Sequence, residues 1–236
     1  METTAIAVAC TAAATGALVQ GSLGFGMSLL ASPILAMVDT RLVPGPLGFC
    51  GIFVSLLTLA RDWRHARWKQ LPLVLPGLLI GSWAGAALLR AVPPPMLSTI
   101  LGLVVLVAVG ISAAGHTVRA TRSNLVLASV IAGFLDTTAA IPGPPLALIY
   151  QHRGHKLAGT LAPIFLFSGV ISLFNLHAIG RFGRAEIELG SMLIGPVVLG
   201  LAASSLLVGR LPAPAMRIGV LALSALAGIA AIVRGF

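Results

Sequence analysis

Residues Ala132–Tyr150 read AGFLDTTAAIPGPPLALIY, and the rest of the 236-residue chain is best interpreted from this stretch. It is apolar enough to enter a lipid bilayer, yet it contains Asp136, two threonines and a Gly-Pro-Pro sequence that interrupts a helix. Counted as helix from Asn124, Asp136 lies about 18 Å into a hydrocarbon layer that is about 30 Å thick. A charge at that depth costs about 2.5–3.5 kcal/mol, which indicates a functional role.

The composition indicates a helical membrane protein that crosses the bilayer several times. Hydrophobic residues make up 58% of the chain and charged residues only 9%, with a mean hydropathy of +1.04. Soluble domains are about a quarter charged, and the alternating pattern of a membrane β-barrel is absent. We therefore predict an all-α, multi-pass protein of the cell membrane, with the lipid bilayer as its surroundings.

The charge and the cysteines exclude several other classes. The net charge of +9 marks loops and topology in such a protein, so we predict no nucleic-acid partner. Cys10 and Cys50 lie in apolar segments with no CxxC or histidine partner, which favours small core residues over a metal site or disulfide. No cofactor is predicted.

Apolar runs divide the chain into eight segments. They are Ala5–Val38, Val43–Ala60, Leu71–Leu89, Met96–Gly115, Leu125–Tyr150, Leu157–Ile179, Leu189–Gly209 and Ala213–Val233. The first would be about 51 Å long as one helix, which is too long for a single span. Glycines and Pro33 interrupt it, so we expect a helix that breaks near Gly21–Gly26 and then resumes.

An internal repeat relates the two halves of the chain. Identical residues recur 120 positions apart at Arg61/Arg181, Arg64/Arg184, Pro76/Pro196, Arg90/Arg210 and Met96/Met216. Gly24 and Gly143 correspond after a one-residue shift. We predict two four-helix repeats, residues 1–116 and 123–236, each opened by a broken helix. Four spans per copy favour parallel repeats, and inverted repeats are the alternative if a hairpin is re-entrant.

The basic residues suggest an orientation with both termini in the cytoplasm. Inner loops would then hold Arg61, Arg64, Arg67, Lys69, Arg119, Arg122, Arg181, Arg184 and Arg234. The outer side would hold Arg41, Arg90, Arg153, Lys156, Arg210 and Arg217. Nine basic residues inside against six outside is a modest bias in the direction expected for cytoplasmic loops. The basic segment Gln151–Lys156 does not fit it, because this orientation places it outside.

Three glycines, Gly77, Gly81 and Gly85, form a GxxxGxxxG stripe on the third segment. Small residues at this spacing let helix backbones approach closely, which we interpret as packing rather than a substrate site. The stripe is also compatible with a homodimer.

Two broken helices at equivalent positions are typical of a transporter binding site, because helix ends expose backbone N–H groups that can bind an oxyanion. The alternative is that these glycines and prolines only permit kinks. The candidate substrate-binding residues are Gln20, Ser22, Gly24, Gly26 and Ser28 from the first copy, and Thr137, Thr138, Gly143 and Asn175 from the second.

Asp136 has three interpretations. It could take up a proton and couple transport to a proton gradient, it could coordinate a cation, or it could be a neutral structural group hydrogen-bonded to Thr137 or to another helix. An ionised Asp136 would repel an anionic substrate, which favours protonation linked to binding.

The segments QGSLGFGMSLLASPIL and AIPGPPLALIY together resemble the TauE/SafE family of sulfite exporters. The resemblance covers nearly the whole chain, and GPPLAL is its most specific part. It implies a permease for sulfite, a sulfonate or a related organosulfur anion in the bacterial cytoplasmic membrane. By motif match it adds Pro144 and Pro145 to Gly24, Gly26 and Gly143 as site positions.

The predicted function is gradient-driven alternating access for a small anion, since no GxxxxGK[ST] sequence is present to use ATP. One alternative is a transporter of a cation or neutral solute that uses Asp136 as a ligand. An intramembrane enzyme is less favoured, because the deep hydroxyl and carboxyl groups lack a basic partner, so no catalytic residue is predicted. A structural subunit would leave the matched breaks unexplained.

Overall fold

The structure, a computed structural model, describes residues 2–93, 96–115, 118–207 and 213–234. Over those residues the fold is all-α, as predicted, with no strand. The α-helices are α1 (Thr3–Leu23), α2 (Met27–Val38), α3 (Gly45–Asp62), α4 (Leu71–Ala91), α5 (Leu97–Ala113), α6 (Arg122–Ala139), α7 (Gly143–Tyr150), α8 (Leu157–Ala178), α9 (Arg184–Leu207) and α10 (Ala213–Arg234). Short 3₁₀ helices cover Thr40–Leu42, Trp63–His65, Trp68–Gln70 and Gln151–Lys156.

Within the described ranges, six helical stretches are long and apolar enough to cross a membrane. They are Thr3–Leu23, Thr40–His65, Trp68–Ala91, Leu157–Ala178, Arg184–Leu206 and Met216–Val233. Helices α2 and α5 are apolar but shorter. The chain is thus a multi-pass membrane protein with six candidate spans. The predicted first and fifth segments each contain two helices, and Gly209 and Arg210 lie outside the described residues.

The first break lies within the predicted stretch, and the chain reverses there. Gly24 caps α1 with a φ of 87°, and Gly26 precedes α2 with a φ of 112°. Glycine adopts such left-handed conformations without steric cost. A Cβ on Gly16 would lie 2.6 Å from the Met27 carbonyl oxygen, although a continuous helix would separate these residues by about 16 Å. Helix α2 therefore folds back beside α1 as a hairpin.

The second break follows Asp136. Helix α6 ends at Ala139, and Ala140, with a φ of 59°, donates its N–H to the Asp136 carbonyl oxygen at 2.7 Å. Helix α7 then begins at Gly143, with prolines in its first turn. Proline suits this position because N–H groups in the first turn of a helix have no intrahelical acceptor, so the lack of one costs nothing.

The central helices of the two halves cross in opposite directions. Three contacts between α3 and α8 establish this, namely Gly48 with Leu173, Ile52 with Gly169, and Asp62 with Gly159. Helices α5 and α10 are also antiparallel: Gly102 packs on Ile232, and Ser112 lies beside Arg217.

Two further pairs are parallel, and each joins one half of the chain to the other. Gly77 of α4 packs on Val126 of α6, and about two turns further along both helices Gly85 packs on Phe134. Gly200 of α9 packs on Ala14 of α1, and Ser204 packs on Gly21. The Gly77–Gly85 stripe is therefore used within the chain, as packing, and it is not left free for a second copy.

These directions assign the loops to two ends of the molecule. At one end Thr160 donates to the His65 carbonyl, Val118 donates to the Leu148 carbonyl, and the Tyr150 hydroxyl donates to Gln70. At the other end Arg181 donates to the Val92 carbonyl, beside a cavity lined by Thr40, Leu97 and Gly180.

We call the first of these ends the basic face, because most cations of the described residues lie there. It carries Arg61, Arg64, Arg67, Lys69, Arg119, Arg122, Arg153, Lys156 and Arg217, and the opposite face carries Arg41, Arg90, Arg181 and Arg184. The expectation that the Arg61 and Arg181 loops share a side is wrong, since Gly159 contacts Asp62 and Arg181 follows the far end of α8. The Gln151–Lys156 segment lies on the basic face, so its cations no longer conflict with the distribution of charge between the two ends.

Candidate functional site

The two breaks meet at a buried cavity between α3 and α8. Its volume is about 30 Å³. The first break contributes Gln20, Gly26, Ser28 and Leu29; the second contributes Asp136, Ala140, Ile141, Pro142, Gly143 and Pro144. The crossing helices contribute Gly48, Gly51, Ser55, Phe165 and Gly169. A Cβ on Gly143 would lie 3.2 Å from the Cβ of Phe25, so the break loops touch.

The start of α2 provides backbone donors beside this cavity. The Gln20 side chain accepts the Met27 N–H at 3.3 Å, which caps one of them. The N–H groups of Ser28 and Leu29 have no hydrogen-bond acceptor within the described chain, as expected for the first turn of a helix. Both residues line the cavity, and the positive end of the α2 dipole lies there.

The start of α7 is a weaker source of donors than the sequence suggested. Pro144 and Pro145 have no N–H, so Gly143 supplies the one N–H among the first three residues of this helix. The prolines instead fix where α7 begins, and glycine lets its backbone approach the Phe25 ring, 3.1 Å from where a Cβ would lie. The two breaks are therefore chemically unequal.

Asp136 lies on the cavity wall and is nearly buried, with 4% of its surface exposed. Its Oδ2 accepts a hydrogen bond from the Ser168 hydroxyl of α8 at 2.5 Å. Across the described residues no lysine, arginine or histidine lines the cavity or pairs with this carboxyl.

The remaining predicted residues lie beside the cavity and do not line it. Ser22 donates to the Leu18 carbonyl, Gly24 packs on Ala158, Thr138 donates to the Phe134 carbonyl, and Pro145 is buried in α7. Thr137 and Asn175 both hydrogen-bond the Ser82 hydroxyl, at 2.7 and 2.8 Å. These two form a polar contact that joins α4, α6 and α8 next to Asp136.

Sequence reasoning missed the contributions of α3 and α8. Gly48, Gly51 and Ser55 are spaced three and four residues apart, which places them on one face of α3. That pattern of small residues was available in the sequence. Ser168 and Phe165 carried no comparable signal, because their role depends on how α8 crosses α3.

This arrangement can bind a small anion through neutral donors. Unpaired backbone N–H groups at a helix start, with the Ser28 and Gln20 side chains, recognise oxyanion oxygens without a basic residue. The apolar atoms of Leu29, Ile141 and Phe165 would face the rest of the bound molecule. Irregular backbone at this depth is tolerated where it lines a cavity, which this cavity provides.

Comparison with known proteins gives a consistent result. The family model described as "Sulfite exporter TauE/SafE" matches residues 8–231. A protein of Comamonas testosteroni, "Probable inner membrane transporter protein TsaS", is 25% identical over 171 residues, covering 69% of this chain and 71% of the relative. No solved structure matches the chain.

Proposed function

The chain belongs to the TauE/SafE sulfite exporter family, and on that premise we propose that it transports a small organosulfur anion across the cell membrane. Membership makes it a membrane transporter; sulfite or a sulfonate is the proposed substrate. The observation that carries the proposal is the single cavity shared by the two helix breaks, with the unpaired N–H groups of Ser28 and Leu29 on its wall. We assign no catalytic role to the chain.

The substrate would lie between the breaks, with its charged oxygens at the start of α2. Gln20, Gly26, Ser28, Gly143 and Pro144 would contact it, since they line the cavity. The other predicted residues would support these positions from behind. In particular, the bonds from Thr137 and Asn175 to Ser82 would hold α6 and α8 at a fixed distance.

Asp136 would couple transport to protons. A charged carboxylate and an anion in one low-dielectric cavity repel each other, so the anion would bind when Asp136 is protonated. Releasing both together would let a proton gradient drive the anion. Ser168 would orient the carboxyl group in both states.

Alternating access would follow from two inverted repeats, α1–α5 and α6–α10. Helix α1 would correspond to α6 and α4 to α9, so the parallel α1–α9 and α4–α6 pairs are equivalent contacts. Helices α3 and α8, and α5 and α10, are antiparallel equivalents, which supports a pseudo-twofold axis in the membrane plane. Residues 1–116 and 123–236 would then be five-helix copies of opposite orientation.

Reconstitution tests this function. Purified protein in liposomes should accelerate the efflux of sulfite or methanesulfonate, and an outward or inward proton gradient should change the rate. Empty liposomes and liposomes with an unrelated membrane protein are the controls. Movement of a cation or neutral solute in place of both anions would contradict the proposal.

A further inference from the structure

Arg217 is a cation whose charge no acidic residue balances. It lies in the second turn of α10, and its guanidinium donates to the Ser112 carbonyl at the end of α5. Its Nε is buried and has no hydrogen-bond partner. The ion pairs among the described residues involve Arg41, Arg61 and Arg184, so Arg217 has none. A buried N–H donor without a partner, such as this Nε, is costly.

The side chain faces the back of the first break. It lines a small cavity, of about 10 Å³, together with Val19, Leu23, Phe25, Gly26, Leu29, Ser112, Val220 and Leu221. Gly26 and Leu29 also line the central cavity. The start of α2 is therefore a thin wall with the guanidinium on one side and Asp136 on the other.

This position lies between the basic face and the central cavity. Ser112 and Arg217 are at the basic-face ends of α5 and α10. An anion that entered from this face would meet Arg217 first, and the N–H groups of Ser28 and Leu29 would be the next donors along its path.

We propose that Arg217 binds the transported anion at a second position, on the route between the basic face and the central cavity. This inference rests on the proposed function. The anion supplies the charge and the acceptors that the guanidinium lacks, and Arg is suited to oxyanions because its N–H groups form a planar fork. The route opens when the Phe25–Gly26 segment moves away from Arg217.

The alternative is that Arg217 only ties α10 to α5. Arg217→Gln and Arg217→Lys together separate the two roles, because both shorten the side chain that reaches the Ser112 carbonyl and glutamine alone removes the charge. Arg217→Lys keeps the charge. Arg122→Gln is the matched control, since Arg122 is exposed on the same face and lines neither cavity.

The experiment measures methanesulfonate and sulfite transport against concentration in inside-out and right-side-out membrane vesicles. We expect Arg217→Gln to raise the half-saturating concentration about tenfold or more from the basic face, the scale of lost hydrogen bonds to a charged group. From the opposite face the change should be smaller. Arg217→Lys should recover part of the loss, and Arg122→Gln should behave as wild type, all with unchanged thermal stability.

Two failures can be told apart. If wild-type protein transports the probes and Arg217→Gln has the wild-type half-saturating concentration from both faces, the Arg217 assignment is overturned and transport stands. If wild-type protein moves neither probe, the proposed function and the assignment fail together. An equal loss in Arg217→Gln and Arg217→Lys, with lowered stability, would identify a structural tie and also overturn the assignment.

Discussion

Asp136 is a carboxyl group that accepts a hydrogen bond from Ser168, on the wall of a cavity that no cationic residue lines in the described part of the chain. Its burial could be inferred from sequence, because an acid within a long apolar run is conspicuous. Its partner Ser168 could not, because 32 residues and a helix reversal separate the two. The sequence is enough to single out Asp136, whereas its hydrogen bond from Ser168 depends on how α8 packs against α6.

Asp136→Asn should slow transport about tenfold or more and flatten its dependence on pH, because asparagine keeps the hydrogen bond to Ser168 and cannot carry a proton. The measurement is the initial transport rate in liposomes from about pH 5 to 8. Asp62→Asn is the control, since Asp62 pairs with Arg61 outside the cavity. A wild-type rate and pH profile in Asp136→Asn would remove the coupling role.

At the element scale, the breaks were predictable and the reversal was not. Glycine at positions 24 and 26 and the prolines of α7 interrupt helices for reasons contained in a few residues. Whether the chain then continues or turns back depends on what packs beside it, here Met27 against Gly16. The same holds for α3, whose small residues become a cavity wall only where α8 crosses them.

The glycine stripe of α4 offers a direct test of helix packing. A Cβ at Gly81 would overlap the Val130 carbonyl and lie 2.8 Å from the Phe134 nitrogen, both of them backbone atoms that cannot easily move. Gly81→Ala should therefore lower stability by about 1–3 kcal/mol, measured by thermal unfolding in detergent. Gly110→Ala is the control, because nothing lies within 4 Å of that position. Equal stability of the two variants would contradict the close α4–α6 contact.

At the scale of the whole molecule, one local reversal changes the topology. Counting each broken helix as one span gives four passes per copy and parallel repeats. Counting α1 and α2 separately gives five, and the proposed second copy would then be inverted; Arg61 and Arg181 lie at opposite ends of the molecule. The pattern of residues 120 apart is the same in both cases, so the sequence alone does not distinguish a parallel repeat from an inverted one.

The excess of cations predicts which end lies in the cytoplasm. In a Cys10→Ala, Cys50→Ala background, a cysteine at exposed Arg64 should react with a membrane-impermeant maleimide only in inside-out vesicles. One at exposed Arg90 should react only in intact cells whose outer membrane is permeable. The cysteine-free background is the control. Labelling of both positions from the same side would contradict the two-face arrangement.

The two helix breaks meet at one cavity, and we propose that the anion binds there. In the cysteine-free background, Phe25→Cys with Gly143→Cys tests it most directly, because the two Cβ positions are 3.2 Å apart and a disulfide needs about 3.5–4.5 Å. Transport is measured with methanesulfonate, since sulfite cleaves disulfides. Each single-cysteine variant is a control.

We expect oxidation to link the two cysteines, as detected by mass spectrometry of the joined peptides, to stop transport, and reduction to restore it. The single variants should be insensitive to both treatments. Absence of the disulfide, or undiminished transport by the fully linked protein, would contradict the claim.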